Sequence, residues 1–160
     1  MAAPEHRRRV LIAVDASETA KHAFEWYLEN MHRQDDLIVV THCPEVPKLS
    51  TFSFKSGLAP PVDEWKTVLE ETNQKLNKLA EEYEGTLIQR KLHYKIKGQN
   101  HKHPGEGIIH VAHEEHIDII VMGMRGVGAI RRALVGSTCD YVVRNAHLPI
   151  VIVPKHIEQH

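Results

Sequence analysis

Short unbroken apolar runs alternate with segments of helical period along the whole chain. Residues 10–14 (VLIAV) form the first run and stop at Asp15. A run of that length suits a strand covered on both faces. Ser17 follows as a candidate N-cap. Ala20, Ala23, Phe24, Tyr27 and Leu28 then recur at i, i+3, i+4, i+7 and i+8, one face of a helix. Leu37–His42 (LIVVTH) reads as a second buried strand. Trp65, Val68, Leu69, Thr72, Leu76, Leu79, Ala80, Tyr83 and Leu87 keep helical spacing, which predicts a helix over 63–90 with Gly85 as its weak point. Leu92, Tyr94 and Ile96 alternate, so 92–97 is the third strand. A helix over 106–116 follows, with Ile108, Ile109, Val111 and Ala112 apolar, then a fourth strand over 117–122 (IDIIVM). A helix over Ser137–Asn145 and a fifth strand, Ile150–Val153, closed by Pro154, complete the series.

Strands alternating with helices predict an α/β fold: a five-stranded parallel sheet with helices on both faces, doubly wound and Rossmann-like. Ligands of such sheets sit at the carboxyl ends of the strands, near a topological switch point. Asp15 follows the first strand and a glycine-rich loop follows the fourth. Their ends line one crevice if those strands are neighbours, an adjacency the sequence does not prove. Residues 43–61 are irregular and carry Pro44, Pro47, Gly57, Pro60 and Pro61. A structureless stretch of that length is unusual in a compact domain. It reads as a surface loop; a lid or partner contact through Phe52 and Phe54 is the alternative.

At 160 residues the chain predicts a single domain, 1–160, able to bury a core without staples. A net charge of −1 offers no global attraction to nucleic acid or to an acidic membrane. Two cysteines, Cys43 and Cys139, make no disulfide framework and suit a reducing compartment. No apolar run approaches the roughly 20 residues of a membrane helix. The basic start, MAAPEHRRR, precedes an apolar run too short for a signal peptide. The expectation is a soluble cytoplasmic protein with neither nucleic acid nor membrane as partner.

The densest chemical signal is residues 121–140, VMGMRGVGAIRRALVGSTCD. Gly123-x2-Gly126-x9-Gly136 is followed at once by Ser137 and Thr138. Strand, glycine loop, helix is the arrangement that offers backbone N–H groups and a helix N-terminus to an anion. A P-loop lysine is missing, and Arg131 stands where a dinucleotide fingerprint would place its third glycine. The protein-kinase signatures are also absent.

With its flanking segments, this motif resembles the ATP-binding universal stress proteins, whose pattern is Gly-x2-Gly-x9-Gly-Ser/Thr. The likeness spans nearly the whole chain. It takes in 10–17 (VLIAVDAS), 118–123 (DIIVMG) and 140–154 (DYVVRNAHLPIVIVP). The resemblance implies that the chain binds ATP, or AMP or ADP, with Mg²⁺ held mainly by the phosphates. It places Asp15 near adenine and ribose, with Ala13 and Val14 beside it. It gives adenine the backbone groups of His42 and Cys43, where the family's usual pair is His-Val. Met122 and Gly123 would approach the ribose and α-phosphate, and Gly126 would lie along the phosphates. Gly136, Ser137 and Thr138 would hold the β- and γ-phosphates. Arg125 is a candidate phosphate partner, more so than Arg131 or Arg132; solvated surface charge is the simpler reading of all three. The resemblance also implies a homodimer through the last strand, Ile150–Val153, since pairing satisfies two sheet edges at once. The alternative is a monomer whose edge is covered by the tail, 156–160.

No catalytic residues stand out: neither paired carboxylates nor a Ser-His-Asp arrangement is evident. A phosphate cradle without a base to orient water should bind ATP and hydrolyse it slowly at best. The expected function is a nucleotide-dependent stress-response or signalling module. A slow ATPase, or a chaperone-like interaction dimer that does not use nucleotide, are the alternatives. Among the 13 histidines, His110, His113 and His116 share a predicted helix face, with His101 and His103 just before. A wet helix face explains them more simply than a transition metal does. Cys139, one turn into the last helix, reads as a structural thiol, with a redox role as the alternative.

Overall fold

The computed structural model describes residues 6–44, 62–99, 101–124 and 136–155. One parallel sheet holds β1 (Arg9–Ala13), β2 (Leu37–His42), β3 (Tyr94–Gly98), β4 (Ile119–Gly123) and β5 (Ile150–Val153). The described helices between them are α1 (Glu18–Asn30), α2 (Val62–Gln89), α3 (Pro104–Glu114) and α4 (Ser137–Asn145). The strand order is β3-β2-β1-β4-β5. The expected doubly wound α/β sheet is therefore present. Val10 of β1 pairs in register with Ile38 of β2 on one side and Ile119 of β4 on the other. The first and fourth strands are thus neighbours, and the chain reverses its winding between them.

Alternate residues of the central strands feed two cores, because successive side chains point to opposite faces. Ile12, Val40 and Val121 pack with Phe24, Tyr27 and Leu87 beneath α1 and the end of α2. Leu11, Val39 and Ile120 pack with Val111 and Val142 beneath α3 and α4. Adjacent residues 10–12 are all fully buried, which explains why the run is continuously apolar.

Three element boundaries differ from those expected. Leu92 does not begin β3: Lys91 turns into the left-handed region at φ 55°, and the Leu92 N–H donates back to the Leu87 carbonyl at 3.0 Å. Ile117 does not begin β4: His116 takes φ 50°, and the Ile117 N–H donates to the Ala112 carbonyl at 2.9 Å. Both residues close the preceding helix through a backbone turn that glycine usually makes. The third helix begins at Pro104 rather than residue 106, because proline suits the first helical turn, where its missing N–H costs nothing.

The second helix has the predicted extent but not the predicted burial. Tyr83 and Leu87 are its buried residues, while Val68 and Leu69 are 40% and 49% exposed. Length explains this. A helix of 28 residues runs about 42 Å at 1.5 Å per residue. A five-residue strand covers roughly 17 Å at 3.3 Å per residue. Only the last turns of α2 can lie over the sheet.

At the amino end of the sheet, the carboxylates preceding β2 and β4 fasten the start of β1. Asp36, 1% exposed, accepts from Arg8 Nε at 2.7 Å, Arg8 Nη2 at 2.6 Å, Tyr27 Oη at 2.6 Å and the Arg33 N–H at 2.9 Å. Asp118 Oδ2 accepts the Arg9 N–H at 2.7 Å. Arg9 Nη1 donates to the Glu115 carbonyl at 2.9 Å, and Arg7 Nε to the Asp35 carbonyl at 2.8 Å. The basic run at the start of the chain is therefore a set of strand clamps.

Candidate functional site

At the opposite end of the sheet, between the ends of β1 and β4, lies a cleft with about 550 Å³ of empty space, partly open to solvent. Ala13, Val14 and Asp15 line it from β1 and the turn that follows. Met122 and Gly123 line it from β4, Cys43 from the end of β2, and Gly136 and Thr138 from the start of α4. Eight of the proposed contact residues thus converge, from four separate stretches of sequence. Ser137 opens α4, but its side chain is exposed and is not part of this lining. Arg125 and Gly126 lie outside the described residues, as do Arg131, Arg132, the segment 45–61 with Phe52 and Phe54, and the tail 156–160.

Each wall has a local cause. The turn after β1 is held by its own polar groups: Asp15 Oδ1 accepts the Ser17 N–H at 2.8 Å, and Ser17 Oγ accepts the Ala20 N–H at 3.2 Å. Ser17 is the α1 N-cap that its position predicted. Val14 stays in line with the sheet through its N–H, which donates to the Thr41 carbonyl at 2.9 Å. Gly123 lets β4 run against the start of α1; a Cβ there would collide with the Thr19 backbone carbonyl. Gly136 caps α4 with φ 82° and ψ 148°, a conformation that disfavours any residue with a Cβ. Gly136 has no side chain to cap this helix start, and none is supplied from among the described residues. The N-terminus of α4 therefore turns its positive end toward the cleft.

Thr41, Pro104 and Ile108 also line the cleft, together with Ser17, Thr19, Ala20 and Cys139. Thr41 had a legible signal, since it shares a strand face with Cys43. Its buried hydroxyl donates to the Lys97 carbonyl at 2.9 Å. Pro104 and Ile108 had none, because only the packing of α3 over β2 brings them in. Gly107 permits that packing: a Cβ there would sit 2.8 Å from Cys43 Sγ.

Polarity reaches the cleft from backbone groups and the start of α4 more than from side-chain charge. Asp15 is the one charged residue in its described lining. Burial pushes the Cys43 thiol up in pKa, only partly offset by the Thr41 hydroxyl, so Cys43 is a neutral thiol at pH 7. Cys139 is buried and its Sγ donates to the Gly123 carbonyl at 3.4 Å, the placement of a packed thiol joining α4 to β4. His42 faces the other side of the sheet, against Gly98, where burial holds its pKa below the usual histidine value. The histidine face does not assemble as predicted. His116 lies beyond the end of α3, while the His110 ring meets that of His101 at 5.3 Å. Among the described residues no group of three His, Cys, Asp or Glu is placed to hold a metal.

A five-stranded parallel α/β sheet with a cleft at its switch point is a doubly wound, Rossmann-like architecture. The model of the universal stress protein family matches residues 6–154. The chain belongs to the universal stress protein family. It is 27% identical to Universal stress protein MJ0577 of Methanocaldococcus jannaschii over 157 residues, covering 92% of this chain and 95% of that one. A solved structure of MJ0577 superposes with a TM-score of 0.73 at 21% identity, covering 94% and 97% of the two chains. Universal stress protein MJ0531 of the same organism is 30% identical over 159 residues, covering 92% and 82%. A family member from Arabidopsis thaliana, solved with AMP bound, superposes with a TM-score of 0.66 at 20% identity, covering 94% of each chain. No helix among the described residues is long and apolar enough to cross a membrane.

Proposed function

We propose that this protein is an ATP-binding member of its family, one nucleotide-binding domain over 1–160 that acts as a nucleotide-dependent stress-response or signalling module in the cytoplasm. The observation that carries the reading is the convergence of Asp15, Gly123 and the bare N-terminus of α4 on one cleft at the β1/β4 switch point. Adenine and ribose lie by Ala13, Val14, Asp15 and Cys43. The phosphates run past Met122 and Gly123 toward Gly136, Ser137 and Thr138, with Arg125 and Gly126 as further contacts proposed from the sequence. The AMP-bound relative supports an adenine nucleotide as ligand. Mg²⁺ joins the phosphates, which suits a cleft with no cationic side chain in its described lining.

Hydrolysis is slow at most. The described lining contains no histidine and no carboxylate besides Asp15, whose Oδ1 already accepts the Ser17 N–H. Such a site binds and orients phosphates without a group free to orient water. The protein acts as a homodimer through β5, the sheet edge of sequence IVIV with no charged side chain to discourage pairing. A sedimenting mass equal to a single chain would overturn the dimer.

Titration calorimetry with Mg-ATP tests the nucleotide reading. Wild type is expected to bind. Gly136→Asp, checked for folding by circular dichroism, is expected to lose binding, because it strains a φ of 82° and puts a carboxylate where phosphates approach. Wild-type protein stripped of nucleotide that does not bind overturns the reading.

A further inference from the structure

Behind the turn that carries Asp15 lies a second, open groove between α1 and α2, with about 1400 Å³ of empty space including the solvent at its mouth. Asp15 and Ser17 line both this groove and the cleft in front. Tyr83 of α2, 6% exposed, closes the contact between them. Its ring meets Phe24 of α1 edge-on at 4.9 Å, and its hydroxyl donates to the Asp15 carbonyl at 3.4 Å. The turn is thus held from two sides: from within by the Ser17 N–H on the Asp15 carboxylate, and from behind by a helix outside the cleft.

That helix is anchored only near its end. Its buried residues, Tyr83 and Leu87, stand four apart, and the preceding turns leave Val62, Val68 and Leu69 exposed. Between the two anchors sits Gly85, where a Cβ would meet nothing within 4 Å. Packing therefore does not require glycine at this position, yet glycine weakens a helix interior. The anchor that grips the Asp15 turn stands two residues from Gly85, the position of lowest helix propensity in α2.

We propose that Tyr83 is a positioning residue of the nucleotide cleft, and that α2 senses occupancy of the cleft through it. This rests on the nucleotide reading above. A ligand touching Asp15 shifts or stiffens the turn, and the Tyr83 hydroxyl transmits this to the last turns of α2. By linkage, anything that binds the exposed part of α2 and alters its seating changes nucleotide affinity in return.

The test uses the full chain, Mg-ATP as probe, and two readouts. In wild type, saturating Mg-ATP is expected to slow amide exchange over residues 80–89 by about threefold or more. Tyr83→Phe keeps the ring against Phe24 and removes only the hydroxyl. It is expected to weaken Mg-ATP binding by roughly three- to tenfold, the range of a single lost hydrogen bond, and to abolish the nucleotide-dependent slowing. A purely structural tyrosine would shift the unfolding midpoint and leave that slowing in place. Wild type that binds Mg-ATP with exchange in α2 unchanged overturns the inference without needing the variant. Equal affinity in Tyr83→Phe also overturns it, and leaves the nucleotide reading standing. Wild type that does not bind Mg-ATP overturns both.

Discussion

At the amino end of the sheet, β1, β2 and β4 begin among carboxylates that already have partners: Asp36 takes the Arg8 guanidinium, and Asp118 takes the Arg9 backbone N–H and the His6 ring. At the carboxyl end Ala13, Gly123 and Cys43, the residue just after β2, stand around open space. No buried side-chain nitrogen or oxygen among the described residues lacks a partner. The amino end uses its polar groups on itself, which fixes strand order and register. The carboxyl end leaves the start of α4 facing a cleft, the feature on which the proposed ligand site rests. The arrangement separates stability from binding along one set of strands.

Breaking the amino end should cost the most stability. Asp36→Ala leaves the half-buried Arg8 guanidinium with only the Met31 carbonyl and the buried Tyr27 hydroxyl without its acceptor. It should lower unfolding free energy by about 3 kcal/mol, the scale for removing one partner of a buried ion pair. Urea unfolding measures this. If the comparison holds, Mg-ATP affinity under folding conditions stays within about twofold of wild type, below the roughly 1.4 kcal/mol that a tenfold change represents.

The carboxyl end should show the reverse balance. Gly123→Ala puts a methyl group against the Thr19 backbone, forcing α1 and β4 apart at the cleft. It should cost about 1–2 kcal/mol in stability, as overpacking does. Mg-ATP affinity should fall at least about tenfold, since loss of positioning is felt most at the ligand. Unchanged affinity would show that the two ends are not specialised in this way.

The two ends should also separate by pH. Burial raises the pKa of Asp36, but Arg8, Tyr27 and the Arg33 N–H lower it by more, so the net shift is downward. Glu115 is held down by Lys95 and Lys97. Asp118 is held down by the Arg9 N–H and His6 against the opposing effect of burial. Carboxylates with lowered folded-state values add stability that is fully present above their unfolded values. That stability is lost as pH falls through the ordinary carboxylate range, near pH 4, toward the depressed values. Urea unfolding from pH 7 to pH 3 should show this loss in wild type. Asp36→Asn should start less stable and lose less, while Gly123→Ala should keep the wild-type slope.

The smallest effect should come from relieving strain near the amino end. Lys91 closes α2 at φ 55°. Lys91→Gly should raise stability by about 0.5–1 kcal/mol, seen as a higher urea midpoint, with nucleotide affinity unchanged. A loss of stability would mean that the lysine side chain contributes more than its backbone conformation costs.

Much of the fold was legible in the pattern. Runs such as 10–14 are apolar at every position because both sheet faces are covered, so strand identity could be read directly. Ser17 was legible as a cap because a hydroxyl just before an apolar period has a local role. The boundaries at Leu92 and Ile117 were not, because an apolar residue that closes a helix by its N–H looks like one that starts a strand. The burial of α2 was not legible either: Trp65 to Leu87 keep one period, and nothing in that period tells how far the sheet extends beneath it. In the site, the glycines, Asp15 and Cys43 could be named from spacing and resemblance. Pro104, Ile108 and Thr19 could not, since their place depends on how the helices pack.

The sequence by itself determined the alternation of strand and helix, the parallel sheet that follows from it, and the glycine–serine motif opening the last helix. Those are local properties: period, run length and backbone conformation at single residues. Only the tertiary structure decided that β1 lies beside β4, that Asp36 takes the Arg8 guanidinium and Asp118 the Arg9 backbone N–H, and that Tyr83 reaches the Asp15 turn. Each of these joins residues far apart in the chain. Which distant partner a group takes is set by the packing of whole elements, and no local pattern encodes it.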